Sequence, residues 1–238
     1  MTTTPSPAGR TAETIAGRIL LDDVLAALRA VRPLFHSEAD LQHSFARALW
    51  ELAPEVGSRL EVPRRGRGKN EHLDLLCVGP LARTAIEFKY VTRRWSGTIG
   101  LPPEVYQLRK HGAPDVARRD FVRDLERLER FCDREDQNGL ALLVTNEASL
   151  WRPQVAGRAK TNDDKFRIHE GRTLRGTLLW AGGAYIPNTQ VLRGVYPLTW
   201  RPYADLGGVD GEFRCLAVFI TPVNEASGAR VAAQREVP

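Results

Sequence analysis

Leu73-Asp74-Leu75-Leu76-Cys77-Val78-Gly79-Pro80-Leu81-Ala82-Arg83-Thr84-Ala85-Ile86-Glu87-Phe88-Lys89-Tyr90-Val91 is the stretch on which the reading of this chain turns. Two apolar-rich runs, His72 to Val78 and Thr84 to Val91, flank the turn pair Gly79-Pro80 and are predicted to be strands of one hairpin. A turn of about four residues sets Val78 against Arg83, Leu76 against Ala85 and Asp74 against Glu87, where Cβ atoms of directly paired residues lie within about 5.5 Å. Strand alternation then sends Leu73, Leu75 and Cys77, with Ile86, Phe88 and Tyr90, to one apolar wall. Glu87 and Lys89 share the other face with Asp74.

Two carboxylates this close repel, and each raises the pKa of the other unless a cation lies between them. A divalent metal supplies that cation. Hard oxygen ligands without a thiolate or His-rich set suit Mg²⁺ or Mn²⁺ better than zinc. Lys89 adds an ammonium able to hold a phosphate or assist an attacking water, and metal with ammonium suits hydrolysis of a phosphodiester.

Outward toward the N-terminus, Arg64-Arg65-Gly66-Arg67-Gly68-Lys69 forms a basic loop. Its cations Arg64, Arg65, Arg67 and Lys69 are expected to grip backbone phosphates. A third strand, Arg59 to Pro63, precedes it. Ser37-Glu38-Ala39-Asp40 places a hydroxyl and a carboxylate in the pattern of a capping box, predicting a helix to about Leu52 whose stripe is Leu41, Phe45, Leu49 and Leu52. Glu38 extends that stripe, although a first-turn Glu is also favoured by the helix dipole alone. An earlier helix is expected from Ile15 through Leu28, closed by Pro33.

Toward the C-terminus a polar, Gly- and Pro-containing stretch leads to a long amphipathic helix, about Asp115 to Glu135, with Phe121, Leu125, Leu128 and Cys132 on one side. Leu140 to Thr145 is nearly all apolar and reads as a strand buried on both faces. Arg172 to Trp180, Gln190 to Tyr196 and Phe213 to Thr221 are further strands in a C-terminal extension, about 153–223. Residues 1–12 and 224–238 read as tails poor in large apolar side chains, leaving one domain over 13–223. Consecutive strands rather than alternating β and α point to a mixed α/β layer, and neither dinucleotide-binding nor P-loop glycine spacing occurs.

The 238 residues, 42% hydrophobic, are enough to bury a core, and a formal charge of +5 leans toward anionic partners. Cys77, Cys132 and Cys215 are odd in number and widely spaced, which fits neither a disulfide framework nor a zinc cage and suggests a reduced, cytoplasmic setting. No apolar run approaches the roughly 18 residues of a membrane span, and the first residues lack the pattern of a signal peptide.

Taken together, Ser37-Glu38-Ala39-Asp40-Leu41-Gln42, Leu73-Asp74-Leu75-Leu76 and Ile86-Glu87-Phe88-Lys89-Tyr90 resemble the PD-(D/E)xK superfamily of restriction-endonuclease-like nucleases over about residues 35–146. Leu73 departs from the proline that gives the motif its name. The resemblance implies a mixed sheet flanked by helices and a Mg²⁺- or Mn²⁺-dependent endonuclease acting on DNA in restriction, repair or phage defence. It also implies a homodimer where both strands of a duplex are cut. It makes Asp74 and Glu87 metal ligands, Lys89 the catalytic base or transition-state cation, and Glu38 an outer group binding the metal through water. A catalytically silent nucleic-acid-binding or assembly module of the same fold is the alternative. The bland reading of Asp74, Glu87 and Lys89 is an exposed hairpin face with cross-strand charge pairs. A second [DE]-x-Lys, Asp163-Asp164-Lys165, lies in a polar segment without strand character. His36 and His72 lack any metal-binding spacing and are read as structural.

Overall fold

The computed structural model describes residues 13–65, 70–155, 157 and 159–222, with the side chains of Arg65 and Asn70 left aside. The two expected tails therefore lie outside the described residues, as do Gly66, Arg67, Gly68 and Lys69. The described chain is a mixed α/β structure with four helices and a central six-stranded sheet.

The hairpin read from sequence is the heart of that sheet. Strands β3 (Gly57–Arg65), β4 (Asn70–Val78) and β5 (Arg83–Val91) form an antiparallel run, and β4 pairs with β5 in the expected register from Val78 against Arg83 to Leu75 against Ile86. Gly79 closes the connection by donating its N–H to the Ala82 carbonyl at 2.9 Å. A Cβ at Gly79 would meet the Ala16 carbonyl at 2.6 Å, so only glycine allows the N-terminal turn to rest here.

β5 runs parallel to β8 (Gln137–Thr145), connected through α3 (Pro114–Phe131), and β8 is buried along most of its length on both faces. The sheet does not end there. β12 (Glu212–Ile220) pairs antiparallel with β8, and β11 (Trp200–Asp205), a strand absent from the sequence reading, forms the far edge. The C-terminal region thus completes the core sheet, in the order β11-β12-β8-β5-β4-β3, as well as extending it.

Helices cover both faces. α1 (Leu21–Val31) and α2 (Glu38–Leu52) bury Leu25, Leu41 and Phe45 against Leu75, Cys77, Ile86, Phe88 and Tyr90. α3 lies on the opposite face with Phe121, Leu125 and Leu128 against Ala85, Ala141 and Leu143. The hairpin of β9 (Thr173–Leu178) and β10 (Gln190–Pro197) packs on α3 in turn, through buried Glu129, which accepts from Arg193 N, Gly194 N and the Tyr196 hydroxyl. With sheet on one side and hairpin on another, α3 must satisfy several charged residues out of water.

Three expectations need correction. Ile15, Ile19 and Leu20 do not begin the first helix; Thr14–Ile15 (β1) and Ile19–Leu20 (β2) pair as a small hairpin, because Ala16 and Gly17 adopt left-handed backbone conformations that end helical continuity. The stretch before α3 contains a second hairpin, β6 (Trp95–Ile99) with β7 (Glu104–Leu108). Leu73 leaves the wall shared by Leu75 and Cys77 and joins the α3 side. A four-residue helix, α4 (Ala148–Trp151), follows β8. No helix of the described residues is long and apolar enough to cross a membrane.

Candidate active site

The displacement of Leu73 marks where the site is built. On β3, Leu60 packs with the α1/α2 core while Val62 packs with the α3 core; on β4, Leu75 and Leu73 divide the same way. Both strands therefore change face together across Glu61 and Asp74, the one opposed position missing from an otherwise constant ladder. Glu61 makes the change possible with a φ of +51°, an unfavourable conformation for a side chain bearing Cβ.

At that same point β4 parts from β5. Their ladder stops at Leu75 against Ile86, so Asp74 and Glu87 do not form the directly paired position expected. Instead Asp74 Oδ2 accepts the Phe88 N–H at 2.7 Å, replacing a strand partner with a carboxylate. Two residues on, Glu38 Oε2 accepts the Tyr90 N–H at 2.9 Å. Glu38 reaches this edge because Ser37 caps α2, its Oγ accepting from Asp40 N at 3.2 Å. Asp40 turns back to the His36 N–H at 2.9 Å, completing the start of the helix. The helix-cap role therefore belongs to Ser37 and Asp40, while Glu38 bonds to the sheet.

Glu87 and Lys89 face α3, as alternation requires. Lys89 Nζ lies 2.7 Å from Asp124 Oδ2 and 3.0 Å from the Phe88 carbonyl. Glu87 is 1% exposed and accepts at Oε2 from Arg127, which also lies 3.1 Å from Asp124 Oδ1. Asp124 and Arg127 were not singled out from sequence. Their signal was available: Asp124 sits among Phe121, Leu125 and Leu128 on the apolar face of α3, where a charge must find a partner.

Four carboxylates, Glu38, Asp74, Glu87 and Asp124, thus gather around two cations, Lys89 and Arg127. Burial, then Asp124 and Asp74, push the Glu87 carboxyl up to about 9 despite Arg127 and Lys89. Glu38 is raised by burial against the pull of Lys89 and the Tyr90 N–H. The Lys89 ammonium, although burial alone would lower it, is held above its ordinary range by Asp124 and Glu38. Glu87 Oε1 is buried without a hydrogen-bond partner among the described residues.

Four carboxylates, two of them buried, against two cations, with Glu87 Oε1 unpartnered, fit a small hard cation, and oxygen donors of Asp and Glu are the chemistry such a cation prefers. Among the described residues, no three or more His, Cys, Asp or Glu side chains are already gathered as a metal cage. Mg²⁺ keeps several waters and needs only one or two protein carboxylates. Such a cation would be held by Asp74, which is half-buried, and Glu87.

The remaining expected site residues lie elsewhere. Arg64 places its guanidinium 5.3 Å from the Phe131 ring centre and donates to the Arg130 carbonyl, so it packs on the end of α3. The side chain of Arg65, and Arg67 and Lys69 entirely, fall outside the described residues. His36 pairs with Glu104 at 2.9 Å and stacks on Tyr106, a structural position on β7. No protein-family model, curated protein or solved structure matches this chain.

Proposed function

We propose that this chain is a Mg²⁺- or Mn²⁺-dependent endonuclease of restriction-endonuclease-like fold that hydrolyses DNA phosphodiester bonds. The observation that carries this reading is the meeting of Asp74, Glu87 and Lys89 where β4 separates from β5, with a buried Glu87 oxygen left unpartnered. A buried carboxylate oxygen that no donor reaches is a place where a hard cation would bind.

In this reading Asp74 and Glu87 hold the metal, which when bound supplies charge stabilisation at a phosphoryl oxygen and lowers the pKa of a coordinated water. Lys89 presents an ammonium to the developing negative charge, and Asp124 fixes its position through the 2.7 Å pair. Glu38 holds the Tyr90 N–H and so the edge of β5 on which Lys89 is carried. Arg127 donates to Glu87 Oε2 in the metal-free protein. The formal charge of +5 supports an anionic substrate, and the three buried free cysteines suit action in the cytoplasm. Cutting both strands of a duplex would call for a homodimer.

A second reading has one specific observation in its favour. Arg127 on Glu87 and Asp124 on Lys89 already pair the central residues, as in a silent nucleic-acid-binding or assembly module that uses them to seat α3 on the sheet. Cleavage of plasmid and single-stranded DNA with Mg²⁺, Mn²⁺ or EDTA separates the two, with Asp74→Ala and Lys89→Ala alongside wild type. The nuclease reading expects metal-dependent cleavage lost in both variants. Equal cleavage by all three proteins would sink the site, and retained binding without cleavage under any metal selects the module.

A further inference from the structure

A second constellation of charge lies at the other end of α3. A cavity of about 710 Å³ opens between residues 153–154, the segment 160–172 and residues 179–182. Its charged lining is Lys160, Lys165, Arg167 and Arg172 against the single carboxylate of Asp164, with His169 beside them. Beneath it Arg118 and Asp163 form a buried pair at 2.5 Å, neutral in sum, with Arg118 also donating to the Ser149 carbonyl at 2.7 Å. This is where the second [DE]-x-Lys of the sequence, Asp163-Asp164-Lys165, has gone: Asp163 pairs with Arg118 beneath the basic cavity, and Asp164 and Lys165 line it.

The two arginines are held in place, whereas Lys160 and Lys165 are exposed. Arg167 bonds through Nη2 to the Thr161 hydroxyl at 2.7 Å and approaches Asp163 at 3.4 Å. Arg172 bonds through Nη2 to the carbonyls of Asp164 and Lys165, each at 3.1 Å. Asp164 itself is engaged, accepting the Thr161 N–H and hydroxyl at 3.0 Å. Arg167 Nε, Arg172 Nε and His169 Nδ1 are buried without partners among the described residues. Four cations face one carboxylate in the lining, and burial, then neighbouring arginines, pull Arg172 and His169 below their ordinary values.

We infer that this cavity is a binding site for a phosphate group, whose tetrahedral oxyanion answers both the clustered guanidinium and ammonium groups and the donor-rich, acceptor-poor lining. Planar guanidinium donors suit phosphate oxygens, and two arginines fixed by their far ends lose little freedom when one arrives. Arg118 and Asp124 are six residues apart on α3, about 9 Å along the helix. The site stands without the nuclease reading, because it uses none of the carboxylate cluster.

The phosphate can come from a small molecule or from the end of a nucleic-acid chain, and titration calorimetry separates the sources. Wild type, Arg167→Gln/Arg172→Gln and Lys160→Gln/Lys165→Gln are titrated with inorganic phosphate, a 5′-mononucleotide, and one oligonucleotide carrying either a 5′-phosphate or a 5′-hydroxyl. Phosphate and at least one phosphorylated ligand are expected to bind wild type, with affinity at least tenfold weaker in both double variants. Preference for the mononucleotide assigns a small-molecule ligand. Preference for the 5′-phosphate over the 5′-hydroxyl oligonucleotide assigns a chain end. The exposed lysine pair guards against misfolding of the arginine variant, which circular dichroism checks. Absence of phosphate binding, equal affinity in folded variants, or an equal response to chloride overturns the site, whatever the cleavage assay returns.

Discussion

One helix serves two opposite electrostatic environments. The middle of α3 meets a sheet edge where four carboxylates surround Lys89 and Arg127, whereas its first turns underlie a cavity where four cations face Asp164. In the first, burial raises the carboxyl pKa of Glu87; in the second, burial and like neighbours lower Arg172 and His169. Both are under-neutralised by their own residues, with opposite sign. The difference teaches that one helix carries two charge clusters of opposite imbalance, which the proposed ions, a divalent cation at one and a phosphate at the other, would relieve.

The largest effect that can break the comparison is on chemistry. Lys89→Ala, which leaves the cationic cavity untouched, is expected to reduce metal-dependent cleavage by about 10²-fold or more. Arg167→Gln should leave the rate on a saturating internal phosphodiester substrate near wild type. Steady-state cleavage of one plasmid by the two variants checks this; an equal loss in both would merge the two regions into one site.

Asp124→Ala comes next. It strips half-buried Lys89 and Arg127 of their shared, buried partner, and removing one member of such a pair costs about 3 kcal/mol. Lys160→Gln, at an exposed position, should cost under about 0.5 kcal/mol. Urea unfolding of both variants without metal reads the difference.

A pH series sharpens the acidic half. Because the Glu87 carboxyl sits near 9 when folded, against an ordinary value of 4.5, folding favours its protonated form. That contribution is complete below about pH 4.5 and is lost as pH rises through about 9. Metal-free wild type should therefore lose urea stability between pH 5 and 9, and Glu87→Gln should flatten the slope. Mn²⁺ at pH 8 should restore stability in wild type only, by about 2.7 kcal/mol at a hundredfold excess over Kd. A slope unchanged in Glu87→Gln would remove Glu87 from the account.

The smallest effect concerns the backbone beneath the acidic site. Glu61 is exposed and left-handed, so Glu61→Gly should alter stability by under about 1 kcal/mol, relieving strain while adding freedom to the unfolded chain. Glu61→Val should cost about 1–2 kcal/mol. Thermal unfolding resolves the pair, since 1 kcal/mol moves the midpoint of a chain this size by about 2–4 °C. Equal midpoints would mean that the change of face at Glu61 and Asp74 does not depend on that conformation.

Much of this was legible locally. The β4–β5 register followed from alternation and a short turn, the cap at Ser37 from a hydroxyl three residues before a carboxylate, and α3 from its 3.6-residue stripe. The sequence motif also named three of the four carboxylates, Glu38, Asp74 and Glu87, together with Lys89. It could not name their partners. Asp124 and Arg127 are separated from Glu87 by 37 and 40 positions, and nothing along the chain says which turn of α3 will rest on which strand. β6, β7 and β11 were hidden by short length and by Gly or Pro within or beside them, signals that read as loop when no neighbouring strand is in view.

By itself, then, the amino-acid order determined the periodic elements, the central hairpin and the convergence of Glu87 and Lys89 on one face, because strand and helix periods act over a few residues. Tertiary structure alone decided that β4 leaves β5 at Asp74, that Leu73 turns to the opposite core, and that α3 sets Asp124 and Arg127 among the carboxylates and Arg118 beneath the basic cavity. Those outcomes depend on which buried donors and charges are left without water once the layers close, and that cost is set only by the assembled fold.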